Sequence, residues 1–112
     1  MTGDGMLATF DSPSRAVRGA AAMVAACDAS GLQIRVGLHT GEIEQVGDDV
    51  RGIAVHIAAR VLGAAGAGEV LMTQTTADLV EGSGVSLEDA GEHELKGLSS
   101  ARRLYRVTST PA

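Results

Sequence analysis

Leu32-Gln33-Ile34-Arg35-Val36-Gly37-Leu38-His39 alternates apolar and polar side chains, the period of a strand with one buried face. Upstream of it, Ser12-Pro13 opens a helix, Ser as N-cap and Pro at the first helical position. Ala16, Val17, Ala20, Met23, Val24 and Cys27 then recur at helical spacing, up to a stop at Gly31. Downstream, residues 41–47 read as a bend into a short strand and Gly47-Asp48-Asp49 as a loop. A second helix is predicted over 52–62, with a Gly/Ala-rich exit over 63–68. Residues 69–72 read as a strand, and Thr73 caps a short helix reaching Val80. Residues 85–87 and 93–95 read as a hairpin pair around Asp89-Ala90-Gly91, and 103–107 as a last strand. Strands and helices alternating at these lengths predict an α/β sandwich, one sheet with helices packed on it.

Composition bounds the rest. The 112 residues suffice for one domain. Hydrophobic residues are 45% of the chain, but 18 are Ala, and there is one Phe, one Tyr and no Trp. The core is therefore expected to be thin, close-packed and aliphatic. Charged residues at 21% argue against disorder. A net charge of −5, without a basic stripe or stacking aromatics, argues against a nucleic-acid binder. One Cys excludes an intrachain disulfide and a Cys-rich zinc site, and Cys27 in its Ala/Val run reads as a small buried hydrophobe. The apolar run Ala20 to Ala26 is far too short to span a membrane, and no basic signal-peptide start precedes it, so a cytoplasmic location is expected.

Four places could carry chemistry. Gly3-Asp4-Gly5 before Met6 to Phe10 is a hairpin signal, and a carboxylate at its tip, Asp4, can hold Mg²⁺ or simply form the turn. Only Met1-Thr2 precedes it, so the chain is expected to begin inside a supersecondary unit. His39, Glu42 and Glu44 have donors for a divalent metal, weighed against a solvated strand edge. His56 and Arg60, spaced i, i+4, share one face of the second helix, opposite Val55, Ala58, Ala59 and Leu62. They point at a cleft or an anion, or lie on an exposed face. Lys96-Gly97 puts a point charge in a loop, where it can reach a phosphate or stand free as a surface lysine. No P-loop, Rossmann fingerprint or nucleophile elbow is present.

Taken together, these blocks resemble the class III nucleotidyl cyclase domain, the adenylate/guanylate cyclase catalytic domain, in its actinobacterial subgroup. The matching residues are Gly3 to Phe10, Arg35-Val36-Gly37-Leu38-His39-Thr40-Gly41-Glu42, Gly47 to Gly52, Ala54 to Val61, Gly91 to Gly97, and Leu104-Tyr105. The resemblance implies a ferredoxin-like fold and conversion of ATP or GTP to the 3′,5′-cyclic nucleotide and pyrophosphate, with Mg²⁺ or Mn²⁺. It implies a site at a head-to-tail dimer interface. Asp4 matches a metal aspartate, Asp49 a purine reader, Arg60 the arginine that stabilises transition-state charge, and Lys96 the lysine that contacts the terminal phosphates.

The departures are equally specific. The family's first metal aspartate and its strand, and the base-selecting lysine before the Gly-Asp-Gly hairpin, have no counterpart in these residues. His56 stands where the family has a ribose-positioning asparagine. The chain is thus expected to be a single partial cyclase domain over 1–112, lacking the N-terminal third. It is expected to be inactive or nearly so alone, to bind nucleotide weakly with little base selectivity, and to form a homodimer or swapped oligomer. The alternative is a non-catalytic dimerisation or regulatory module that keeps the fold.

Overall fold

The computed structural model describes residues 10–47 and 49–111. The first helix, α1 (Pro13–Ala29), starts as its sequence dictates: Ser12 Oγ accepts a hydrogen bond from the Arg15 amide at 3.3 Å. It stops at Gly31. The Gly31 amide donates to Asp28 O at 2.9 Å and the Leu32 amide to Cys27 O at 2.8 Å, the paired closure of a Schellman end. Cys27 is half-buried and free, less enclosed than its surroundings in sequence suggest.

Strand β1 (Val36–Leu38) is shorter than the alternation from Leu32 predicts. Its parallel partner, β4 (Val70–Thr73), begins only opposite Val36, so residues 32–35 have no ladder to join. Leu32 is left 58% exposed. Between these strands lie the antiparallel hairpin β2 (Glu44–Val46) and β3 (Asp49–Arg51) and the helix α2 (Ile53–Ala64). Asp49, expected in a loop, is paired with Val46 in that hairpin. The short helix α3 (Gln74–Val80) follows β4 directly.

The largest departure concerns residues 85–95. The expected hairpin is instead one strand, β5 (Ser86–His93), paired antiparallel with β6 (Arg102–Ser109). Asp89-Ala90-Gly91 is a bulge: Asp89 opposes Tyr105 and Glu92 opposes Arg103, three steps on one strand against two on the other. Asp89 Oδ1 accepts from the Gly91 amide at 2.7 Å, and Arg103 Nη1 donates to both Asp89 oxygens at 2.8 and 2.6 Å. A turn signal read along the chain was a bulge signal across it.

The sheet runs β1-β4-β6-β5, with only the β1–β4 pair parallel. Its alternation separates two cores. On one face, Met72 packs with Val17 of α1 and Ala77 and Val80 of α3, joined by Leu38, Tyr105 and Val107. On the other, Leu71 and Leu104 pack with Ile57, Val61 and Ala65 of the α2 region and with Leu95. The result is the α+β sandwich expected, with helices on both faces. The aliphatic side chains are small, so the elements must approach closely.

Candidate functional site

α2 is seated by close approach. A Cβ on Gly37 would lie 2.3 Å from the Leu62 amide nitrogen and 2.9 Å from Ala58 O, so the helix rests directly on the β1 backbone. A Cβ on Gly41 would lie 2.9 Å from Ala54 Cβ. Gly52, with φ of 135°, passes 3.1 Å from Glu42 O by the same measure. The buried stripe of α2 is Ala54, Ile57 and Val61, with Ala58 and Leu62 half-buried toward β1. This corrects the expected apolar set: Ala59 is exposed, and Val55 only half-buried.

His56 is exposed on the first turns of α2, and its Nε2 lies 3.4 Å from where a Gly97 Cβ would stand. The turn carrying Lys96 and Gly97 is anchored by buried Leu95, which packs in the core of Ile57 and Val61, and by the Leu98 amide donating to Leu95 O at 3.0 Å. Two candidate blocks far apart in sequence thus meet. Lys96 itself is exposed and lines a cleft of about 540 Å³ with Glu94, Ser99 and Ser100.

Arg60 lies one turn beyond His56 and is half-buried. Its Nε is shielded from solvent and has no hydrogen-bond partner among the described residues. A shielded donor without an acceptor costs on the order of 1–3 kcal/mol, so this one is open to an acceptor that the described residues do not supply.

Asp49 leads into α2 through β3 and is exposed, but its carboxylate is engaged locally. Arg51 Nε donates to Oδ2 at 3.0 Å, and the Val50 amide to Oδ1 at 3.1 Å. Such an exposed pair is worth little and exchanges easily. Asp4, with the expected Gly3-Asp4-Gly5 hairpin, lies outside the described residues.

His39, Glu42 and Glu44 do not form a metal centre. Among the described residues no three His, Cys, Asp or Glu side chains converge as metal ligands. His39 Nδ1 is instead hydrogen-bonded to Thr73 Oγ1 at 2.6 Å, while Glu42 and Glu44 are exposed. The metal position that the motifs imply is Asp4, which lies outside the described residues. Burial, and then the nearby Arg102 guanidinium, hold the His39 imidazole below its ordinary pKa, favouring the neutral ring. In sequence Thr73 is expected only as a helix cap, yet its side chain makes no capping bond, and nothing in sequence ties it or Arg102 to His39, because only the β1–β4–β6 register brings them there.

On the opposite face, a cleft of about 430 Å³ between α1 and the end of β6 is lined by Ala21, Val24, Gln33 and Thr108, with none of the candidate residues. No helix among the described residues is long and apolar enough to cross a membrane.

Residues 15–109 match the family model of the adenylate and guanylate cyclase catalytic domain. A Rhizobium meliloti protein with adenylate cyclase 3 in its name is 33% identical over 106 residues, which is 87% of this chain and 18% of that protein. The chain spans between 18% and 25% of the length of the curated relatives it matches. Among solved structures, the adenylate/guanylate cyclase/hydrolase of Silicibacter pomeroyi superimposes with a TM-score of 0.80 at 25% identity, covering 98% of this chain and 69% of that one. The catalytic core of a rhodopsin-guanylyl cyclase with converted specificity, solved with ATPαS, has the same fold, with a TM-score of 0.78 at 24% identity over 90% of this chain and 60% of its own. With the match running through α2, the Lys96 turn and both long strands, the chain belongs to the adenylate and guanylate cyclase catalytic domain family, the class III cyclases that its motifs resemble.

Proposed function

We propose that this chain supplies the transition-state side of a nucleotidyl cyclase site that converts ATP, or GTP, to the 3′,5′-cyclic nucleotide and pyrophosphate. The observation that carries this reading is the meeting of α2 with the Lys96–Gly97 turn at His56, beside an arginine whose Nε has no acceptor among the described residues. In the reaction the ribose 3′-hydroxyl gives up its proton to solvent, its oxygen bonds to the α-phosphorus, and the bond from that phosphorus to the oxygen bridging to the β-phosphate breaks, releasing pyrophosphate. Negative charge grows on the phosphate oxygens. Arg60 is a preorganised donor for that charge, and Lys96 is a point charge for the departing pyrophosphate. His56 offers one hydrogen bond to the ribose in place of the family's asparagine. Asp49 reads the purine once released from Arg51. Asp4 is the chain's own carboxylate for Mg²⁺ or Mn²⁺.

These 112 residues hold one carboxylate at the family's metal positions, so by themselves they are inactive or nearly so. With Asp49 as the only purine reader, they bind nucleotide weakly and distinguish ATP from GTP poorly. Assembly as a homodimer or swapped oligomer is supported by Ile43, Val46 and Ile53, which are 44%, 46% and 64% exposed beside the start of α2.

The test is complementation. This chain is mixed with a family domain that has both metal aspartates but whose own transition-state arginine is replaced, and cyclic nucleotide is measured with ATP and Mn²⁺. The wild-type chain is expected to restore turnover. Arg60→Ala is expected to lose at least ~10²-fold of it, the scale for one preorganised donor, and His56→Asn to hold or raise it. No turnover in the mixture and no ATP binding by calorimetry would favour a non-catalytic module. Tight ATP binding with strong rejection of GTP would contradict the weak-selectivity reading.

A further inference from the structure

Residues 39–43 form an irregular segment between β1 and β2, and among the described residues no backbone-to-backbone hydrogen bond fixes them. Two side-chain bonds do. His39 Nδ1 is 2.6 Å from Thr73 Oγ1, and Thr40 Oγ1 is 2.9 Å from Thr76 Oγ1. Thr73 and Thr76 are 1% and 2% exposed, so neither hydroxyl has water as a substitute partner. β1 is only three residues long and cannot by itself hold the residues beyond Leu38 in place. The segment so anchored is the one on which α2 begins. Gly41 packs on Ala54, at 2.9 Å from a would-be Cβ, and that Cβ would lie 3.8 Å from His39 Nε2. Gly52 packs on the Glu42 carbonyl.

We propose that His39 is a positioning residue: through its bond to Thr73 it holds segment 39–43 against the first turn of α2, and so sets where His56 and Arg60 stand. The inference rests on the reading of His56 and Arg60 as nucleotide-contacting groups, but its structural half stands without it. In this role His39 acts through its segment and not on the nucleotide. A displacement of its segment is passed to α2 because Gly41 and Ala54 leave no slack between them. Thr73 is the residue before α3, yet its hydroxyl makes no capping bond to that helix, so the bond to His39 can be removed without uncapping α3.

The test uses the full chain with Thr73→Val, Thr73→Ser and His39→Asn, read by amide hydrogen exchange and by fluorescence titration with a labelled ATP. Thr73→Val keeps the shape and deletes the hydroxyl. It is expected to speed exchange of the α2 amides of residues 56–60 about tenfold relative to α1 and α3, the scale of one lost hydrogen bond. Thr73→Ser, which restores the hydroxyl, and His39→Asn, which keeps a polar atom near the Nδ1 position, should return exchange to the wild-type rate. ATP affinity should fall about tenfold in Thr73→Val and recover in the other two. Equal acceleration in all three helices, or none in α2, overturns the proposal and leaves Thr73 a plain core residue. If the wild-type chain binds no ATP, the nucleotide reading fails, and the exchange result alone decides the positioning role.

Discussion

Gly37 is the residue on which the packing turns. Any side chain there meets the backbone of α2, and backbone cannot swing aside as a flexible side chain can. Gly37→Ala is expected to cost at least about 2 kcal/mol in urea unfolding, at the upper side of overpacking effects. Gly63 is the internal control. It lies in the same helix with open space where a Cβ would go, so Gly63→Ala should raise stability by about 0.5 kcal/mol by restricting the unfolded chain. Equal effects of the two substitutions would show that α2 does not rest on β1. His39 yields a pH prediction. Its folded form resists protonation, so as pH falls below the ordinary imidazole value of 6.5 the unfolded chain takes up the proton first. Stability conferred by the neutral ring is present in full above 6.5 and is lost as pH falls through the folded pKa. Unfolding free energy measured between about pH 7 and about pH 5 should therefore decline, and His39→Asn should remove that component of the slope.

At the scale of elements, the bulge in β5 carries the sharpest expectation. Gly91 has φ of 89° and open space around it, so a substitution there suffers from backbone conformation alone. Gly91→Ala is expected to cost about 1–2 kcal/mol, the left-handed penalty for an L-residue. The Asp89 carboxyl is held below its usual range first by the Gly91 amide and then by Arg103, so the bulge is tied both along the strand and across it. Circular dichroism with thermal unfolding of Gly91→Ala decides the matter. An unchanged midpoint would mean that the bulge reshapes freely into the hairpin that its sequence suggests.

At the scale of the whole molecule, one ionic group ties β6 and β5 to the residue that leads into β4. Arg106 of β6 bonds Glu69, just before β4, through Nε at 2.6 Å, and bonds Glu88 of β5 through Nη1. Glu69 also accepts from the Gly66 amide at 2.7 Å. That amide first, and Arg106 after it, hold the Glu69 carboxyl below its ordinary 4.5 despite some desolvation in the other direction. A carboxyl with a depressed folded pKa contributes stability above the unfolded value, and this is lost as pH falls through the folded one. Acid unfolding of the wild-type chain should steepen below 4.5. Arg106→Gln should shrink that component without abolishing it, since the Gly66 amide remains. An acid limb identical in the two proteins would remove Arg106 from the account.

Local chemistry determined much of this protein before any tertiary contact was known. Ser12-Pro13 and Gly31 bound α1 because caps act within one turn of chain, and the apolar spacing of residues 52–62 marks α2 because helical period is a local property. The pairing of His56 with Arg60 on one helix, and the order of the family's blocks, were legible for the same reason. What needed the folded molecule was everything set by neighbours across the sheet. Residues 32–35 alternate like a strand but join no ladder, with Ile34 O taking a single bond from the Gly68 amide, and Asp89-Ala90-Gly91 turns like a hairpin but is straightened by the full length of β6. Asp49 reads as loop until Val46 lies opposite it. His39 reads as a metal donor or a solvated strand edge until the β1–β4 register sets Thr73 against its ring. A hydrogen-bond partner from another strand has no signature in the sequence around the residue that it engages, so only the tertiary structure could decide these four.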